Sequence, residues 1–330
     1  MTVDQVLKRG ARLWRKVAGK QSGLERAIKR RQKEAMQVDR GPNWVQYSSQ
    51  FFSVVKSKSD PEPRRGIFMY GGCDLPTLFL TVPMWREGIR GTVAISKPDR
   101  QLGSAHSRQL LQSLEGIPDD VIEETCRRLR IPRSFFRPVL FEPTFSIRGH
   151  DELGTFPKSV IVISVGSDLV RVLHRHREHG FLVDIGGWWR NQSLEKAMTD
   201  LDAARWFAER FETVGKIEPE EYQDNLRKII RILNERLNAQ VIVFNTLEVD
   251  PSNPTHNYQL VGPGHAARRR RFNLALAQLS AEMGFAIMDV DRVLKQQGVS
   301  ELVDFAHFPV QHKLPVAQEG YPILRSLGVV

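Results

Sequence analysis

Residues 67–76 read Ile-Phe-Met-Tyr-Gly-Gly-Cys-Asp-Leu-Pro, and this stretch sets the reading of the chain. An unbroken apolar run closes on a glycine pair. Runs of this kind suit strands buried on both faces of a parallel sheet. The glycines permit a tight turn with backbone close to a ligand. Cys73 then falls at the entrance of a helix beginning near Asp74. The free N–H groups and positive end of such a helix favour a thiolate and can hold an oxyanion. In open parallel sheets, reactive groups gather at the carboxyl ends of the strands. The same residues also suit a small buried cysteine filling a strand-to-helix corner.

Working outward, four more runs have the same character: 92–96 (TVAIS), 159–165 (SVIVISV), 240–246 (QVIVFNT) and 285–289 (FAIMD). Amphipathic stretches at 118–130, 193–211, 219–237 and 264–283 separate or follow them, and a last helix is expected near 316–327. In 118–130, Asp119 and Asp120 lie near the start and Arg127, Arg128 and Arg130 near the end, which suits the helix dipole. Alternation of strand and helix predicts an α/β domain with a mostly parallel sheet.

The charge is uneven. The chain carries a net +10, and residues 1–65 hold sixteen basic and six acidic residues, which accounts for all of it. The body, residues 66–330, is neutral by formal count. Apolar residues at helical spacing among arginines and lysines predict helices over 2–19 and 23–37, and a Pro-containing charged stretch, 56–65, reads as a linker. The expected organisation is a basic helical N-terminal arm and linker, 1–65, followed by the α/β domain, 66–330. The arm suits self-packing, a protein partner, or an anionic membrane surface met through residues 1–37. Nucleic acid is disfavoured because no nucleic-acid fold accompanies the charge. Two cysteines, no long apolar run and no secretory pattern fit a cytoplasmic protein, with the inner membrane face as a peripheral site.

The far end of the chain supplies a partner for Cys73. Residues 303–309 read Val-Asp-Phe-Ala-His-Phe-Pro just before the final helix. A loop there can reach back across the sheet edge, with Asp304 fixing the imidazole tautomer while His307 takes the thiol proton. Taken alone, the pair also suits a turn with a capping aspartate and an exposed histidine.

Together these segments resemble the SGNH/GDSL hydrolases, over about residues 66–330. That family places a Gly-Asp-Ser block after its first strand and an Asp-x-x-His block before its last helix. Here Gly71-Gly72-Cys73 and Asp304 with His307 occupy those places, and residues 220–226 (EEYQDNL) look like the segment before its fourth strand. The resemblance implies a three-layer α/β/α sandwich with a five-stranded, flavodoxin-like sheet. It implies an esterase or an acyl or acetyl transferase working through Cys73, His307 and Asp304, on an ester or acylated carbohydrate-type substrate. Gly72, Gly103, Ser167 and Asn191 would be oxyanion or substrate-binding residues, with no metal and no cofactor.

Cysteine replaces the family's serine, so the acyl-enzyme would be a thioester. Val165-Gly166-Ser167-Asp168 stands where the family has Gly-x-Asn-Asp, leaving Ser167 or Asn191 to replace the missing asparagine. Gly103 matches the second block after a longer loop than usual. The alternative is a non-catalytic ligand-binding or accessory protein of a polysaccharide or glycan assembly system.

Three other features are read more plainly. His174, His176 and His179 suit a solvated helix end better than a metal site. Arg268–Arg271 suits a solvated helix face better than a phosphate site. Trp188 and Trp189 suit either stacking on a sugar ring or burial under a loop.

Overall fold

The computed structural model describes residues 37–48, 52–60, 64–70, 75, 86, 88–96, 106–129, 133, 136, 158–184, 201–249, 265–300 and 307–330. The strands are β1 (Gln37–Arg40), β2 (Trp44–Ser48), β3 (Phe52–Ser57), β4 (Arg64–Tyr70), β5 (Thr92–Ser96), β6 (Lys158–Ser164), β7 (His174–His176), β8 (Leu182–Val183), β9 (Phe211–Thr213), β10 (Ala239–Phe244) and β11 (Ala286–Met288). The helices are α1 (Ser107–Glu115), α2 (Asp119–Leu129), α3 (Gly166–Val170), α4 (Leu201–Arg210), α5 (Pro219–Leu237), α6 (His265–Met283), α7 (Val290–Gln296) and α8 (Lys313–Ser326).

The main sheet runs β1-β2-β3-β5-β4-β6-β10-β11. From β5 to β11 every pairing is parallel. In chain order these five strands stand 2-1-3-4-5, the flavodoxin-like doubly wound arrangement. Strand side chains alternate between faces, and here both faces are apolar. Ile67, Met69, Val160, Val162, Ile242 and Phe244 point into a core shared with Val293 and Leu294 of α7 and Val316 and Leu324 of α8. Phe68, Tyr70, Ile161, Ile163, Val241 and Val243 point into a second core, filled by Leu110 and Leu114 of α1, Tyr222, Leu226 and Ile230 of α5, and Phe272 and Leu276 of α6. A sheet covered by helices on both faces is the three-layer α/β/α sandwich. The terminal signals of α5 are local: Pro219 begins it, and Asn238 ends it in the left-handed region at φ 46°.

The sheet has eight strands among the described residues, against five expected. The additional ones lie in the segment expected to be arm and linker. β1, β2 and β3 form an antiparallel meander, and β3 pairs antiparallel with β5, Val55 opposite Val93. The described part of the arm is therefore sheet and not helix. The physical reason is burial: Val54 and Val55 are fully buried and Trp44 is 7% exposed, and Val55 and Trp44 join the core of Ile67 and Val93. Arg86 stacks on the Trp44 ring, 5.2 Å from its centroid, and pairs with Asp39. Gly41 has to be glycine, because a Cβ there would lie 2.3 Å from the same ring. The expected helix over 2–19, and that over 23–37 apart from its last residue, lie outside the described residues.

A smaller sheet, β8-β7-β9, follows α3 and packs with α2 and α4 around Ile122, Phe136, Phe181, Trp206, Phe207 and Phe211. Among the described residues, Gln112 of α1 fastens it by hydrogen bonds. Gln112 donates to the Leu182 carbonyl at 2.9 Å and accepts its N–H at 2.7 Å.

Candidate active site

The strand order reverses between β4 and β6, and ligands in open α/β sheets bind in the crevice outside such a switch point. Tyr70 pairs with Ile163 in register, so the chain leaves both strands side by side. Residues 71–74, with Gly72 and Cys73, follow β4 immediately. Residues 165–168 follow β6. Gly72, Cys73, Gly103, Asn191 and Asp304 lie outside the described residues, as do Trp188 and Trp189.

Two of the expected site residues are described. Ser167 sits in α3 at the exit of β6, 6% exposed. His307 is exposed and precedes the turn Val310–His312 that leads into α8. The segment before it, residues 301–306, follows α7.

The exit of β6 is held by a buried polar cluster that sequence reasoning did not anticipate. Asp168, 2% exposed, accepts the backbone N–H of Ser107 on both oxygens, at 3.0 and 3.1 Å. The Ser107 hydroxyl donates to Oδ1 at 2.6 Å and accepts from Asn225 Nδ2 at 3.4 Å. His106, 1% exposed, caps α1 through Nδ1, which takes the Arg108 N–H at 3.2 Å and lies 3.3 Å from Asp168 Oδ1. The N–H groups of Gln109 and Leu110 go to the His106 carbonyl, so the first turn of α1 is fully satisfied from within the protein.

Three helix starts meet here. Arg108 of α1 makes a bidentate pair with Glu221 of α5, at 2.5 and 2.6 Å, and reaches the Gly215 carbonyl at 2.9 Å. Arg268 of α6 donates to the carbonyls of Asp168, Leu169 and Ile217, and pairs with Glu218. Asp184, close by, pairs with Arg171. Burial lifts the Asp168 carboxyl above its ordinary range, while His106 and the Ser107 donors pull it back. Burial holds His106 below the usual histidine range, opposed chiefly by the Asp168 carboxylate. Two sequence segments touch this cluster: 165–168, which contains Asp168, and 220–226, whose Glu221 and Asn225 both reach α1.

Two plain readings change. His174 to His179 is strand β7 and a turn, not a helix end. His176 Nδ1 accepts the N–H groups of Glu178 and His179, and its ring stacks on Phe181 at 4.9 Å, which buries it. The arginine run is only half a solvated face. Arg270 and Arg271 are exposed and paired with Glu248 and with Glu218 and Glu220. Arg269 is 2% exposed, bonded to the Thr246 hydroxyl and the Leu247 carbonyl. Among the described residues no group of three or more His, Cys, Asp or Glu could hold a metal, and no helix is long and apolar enough to cross a membrane.

No family model matches the chain, and no curated protein does. Several solved structures do. One is a member of the lipolytic protein G-D-S-L family from Veillonella parvula, at 10% identity, covering 79% of this chain and 98% of that one with a TM-score of 0.37. An acetylxylan esterase from Geobacillus stearothermophilus, a catalytic mutant, matches at 10% identity over 82% of this chain and 95% of its own, TM-score 0.36. An extracellular lipase from Streptomyces rimosus matches at 11% identity over 80% and 99%, TM-score 0.29. The fold assignment above rests on the strand order and the two cores, not on these likenesses.

Proposed function

We propose that this chain is an SGNH/GDSL-type esterase or acyl transferase with Cys73 as nucleophile, His307 as general base and then acid, and Asp304 orienting His307. One observation supports the reading: β4 and β6 end side by side where the strand order reverses, and in the sequence Cys73 comes three residues after β4 while Ser167 comes three after β6. The connection into the last helix carries the Asp-x-x-His pair.

The chemistry balances without a cofactor. His307 takes the thiol proton as the sulfur attacks the ester carbonyl, forming a C–S bond and an oxyanion. Backbone N–H groups near Gly72 and Gly103, with the Ser167 hydroxyl or the Asn191 amide, hold that oxyanion. As it collapses, the C–O bond breaks and His307 returns the proton to the leaving alkoxide. Water or a sugar hydroxyl then attacks the thioester by the same steps and frees the thiol. The substrate is an ester or an acylated carbohydrate. The protein acts at a cytoplasmic site, with residues 1–37 meeting an anionic membrane surface or a protein partner.

The test is Cys73→Ala on a generic acetyl ester. Turnover should be abolished, and thiol reagents should modify Cys73 ahead of Cys126 in the parent. Undiminished turnover in the variant removes the nucleophile. Absent turnover in the parent with equal labelling of both cysteines turns the site into a binding pocket without covalent chemistry.

A further inference from the structure

We propose that Asp168 is a positioning residue of this site, a buried clasp that sets Ser167 by locking the exit of β6 onto the start of α1. The inference rests on the acyl-transfer reading above and adds to it a residue that touches no substrate.

Asp168 is adjacent to Ser167, in a helix of only five residues that follows β6 directly. So short an element has little rigidity of its own, and its orientation depends on what holds its side chains. Asp168 is held by three donor contacts from one residue, Ser107, which lies sixty-one positions away in the chain. Ser107 is in turn held by Asn225 of α5, and the α3 carbonyls of Asp168 and Leu169 are gripped by Arg268 of α6. The β6 exit is thus tied to the N-termini of three helices, through groups that are buried and mutually satisfied. Such arrangements fix a donor within the few tenths of an ångström that oxyanion stabilisation requires. The first turn of α1 has no N–H left for a ligand, so the cluster acts on geometry and not as an anion site.

A purely structural role predicts something different. It would lower stability and leave the chemical step alone. The experiment therefore compares Asp168→Asn and Ser107→Ala with Gln112→Ala, a structural control that loosens the small sheet away from the clasp. Asparagine keeps one acceptor but loses the paired acceptance of the Ser107 N–H; alanine at 107 keeps that N–H and removes the hydroxyl's contacts with Asp168 and Asn225. With an acetyl ester, kcat should fall about 10- to 100-fold in Asp168→Asn and about 3- to 10-fold in Ser107→Ala, with KM within about twofold. Gln112→Ala should lower the melting temperature with kcat unchanged. If Asp168→Asn does not fold, Ser107→Ala decides alone. Unchanged kcat in a folded Asp168→Asn or Ser107→Ala, with Cys73→Ala inactive, overturns the clasp and spares the function. An active Cys73→Ala variant, or a parent without turnover, overturns both.

Discussion

Three histidines, His106, His174 and His176, are held below their ordinary 6.5, each chiefly by burial. The sign of the consequence follows from linkage. As pH falls through 6.5 the unfolded chain takes up protons that the folded chain refuses, so stability falls. The slope cannot exceed about 1.4 kcal/mol per pH unit for each fully buried histidine. Asp168 works the other way. Its folded value lies above 3.8, so its contribution is complete below 3.8 and is lost as pH rises through the folded value. Urea unfolding at pH 7.5 and 5.5 should show a less stable protein at the lower pH. His176→Asn should flatten that difference, since asparagine can still accept the turn N–H groups. A parent equally stable at both values contradicts the account. None of this was visible in the sequence: His106 and Asp168 are ordinary residue types until folding brings them to 3.3 Å.

At the level of elements, the run Arg268 to Arg271 shows how far spacing carries an argument and where it stops. Four consecutive arginines on a helix must point around its circumference, so some face inward if one side is packed. The sequence marks the run but not which member is buried. Arg269 replaces lost hydration with the Thr246 hydroxyl and Leu247 carbonyl just beyond β10. Arg269→Met should destabilise by about 2–4 kcal/mol, since it leaves buried acceptors unpaired. Arg270→Ala, one position on, should stay within about 0.5 kcal/mol, because its pair with Glu248 is largely exposed on the arginine side. Denaturation midpoints of the two variants check the contrast. Strands β4, β5, β6 and β10 were legible because burial on both faces leaves an unbroken apolar run, and edge strand β11 because its run is apolar although only Met288 is buried. Helix α1 was missed: Ser107, Gln109 and Ser113 are buried polar residues, which blurs its apolar stripe.

For the whole molecule, the charge excess of residues 1–65 concealed the meander. Arginines and lysines dominate the count, while the structural content lies in β2 and β3, whose Trp44, Val54 and Val55 are buried. Val54 and Val55 are each fully buried, a contribution on the order of 1.5–3 kcal/mol per side chain. A chain starting at residue 61 would also expose the edge of β5, and open apolar edges associate. It should elute earlier and as larger species than the full chain in size-exclusion chromatography. The candidate triad stands differently. Its order along the chain suggested it, and of its three members only His307 falls among the described residues. The Asp168 clasp joins residues from distant segments, and single-sequence reading has no handle on such contacts. The Gln112 fastening has its own consequence. One glutamine gives Leu182 the donor and acceptor that a neighbouring strand would give, so the β8-β7-β9 unit has no continuous ladder to the body there. Its opening need not await global unfolding. In deuterium uptake the Leu182 amide should therefore exchange sooner than those of β6, and Gln112→Ala should bring it close to an unprotected rate.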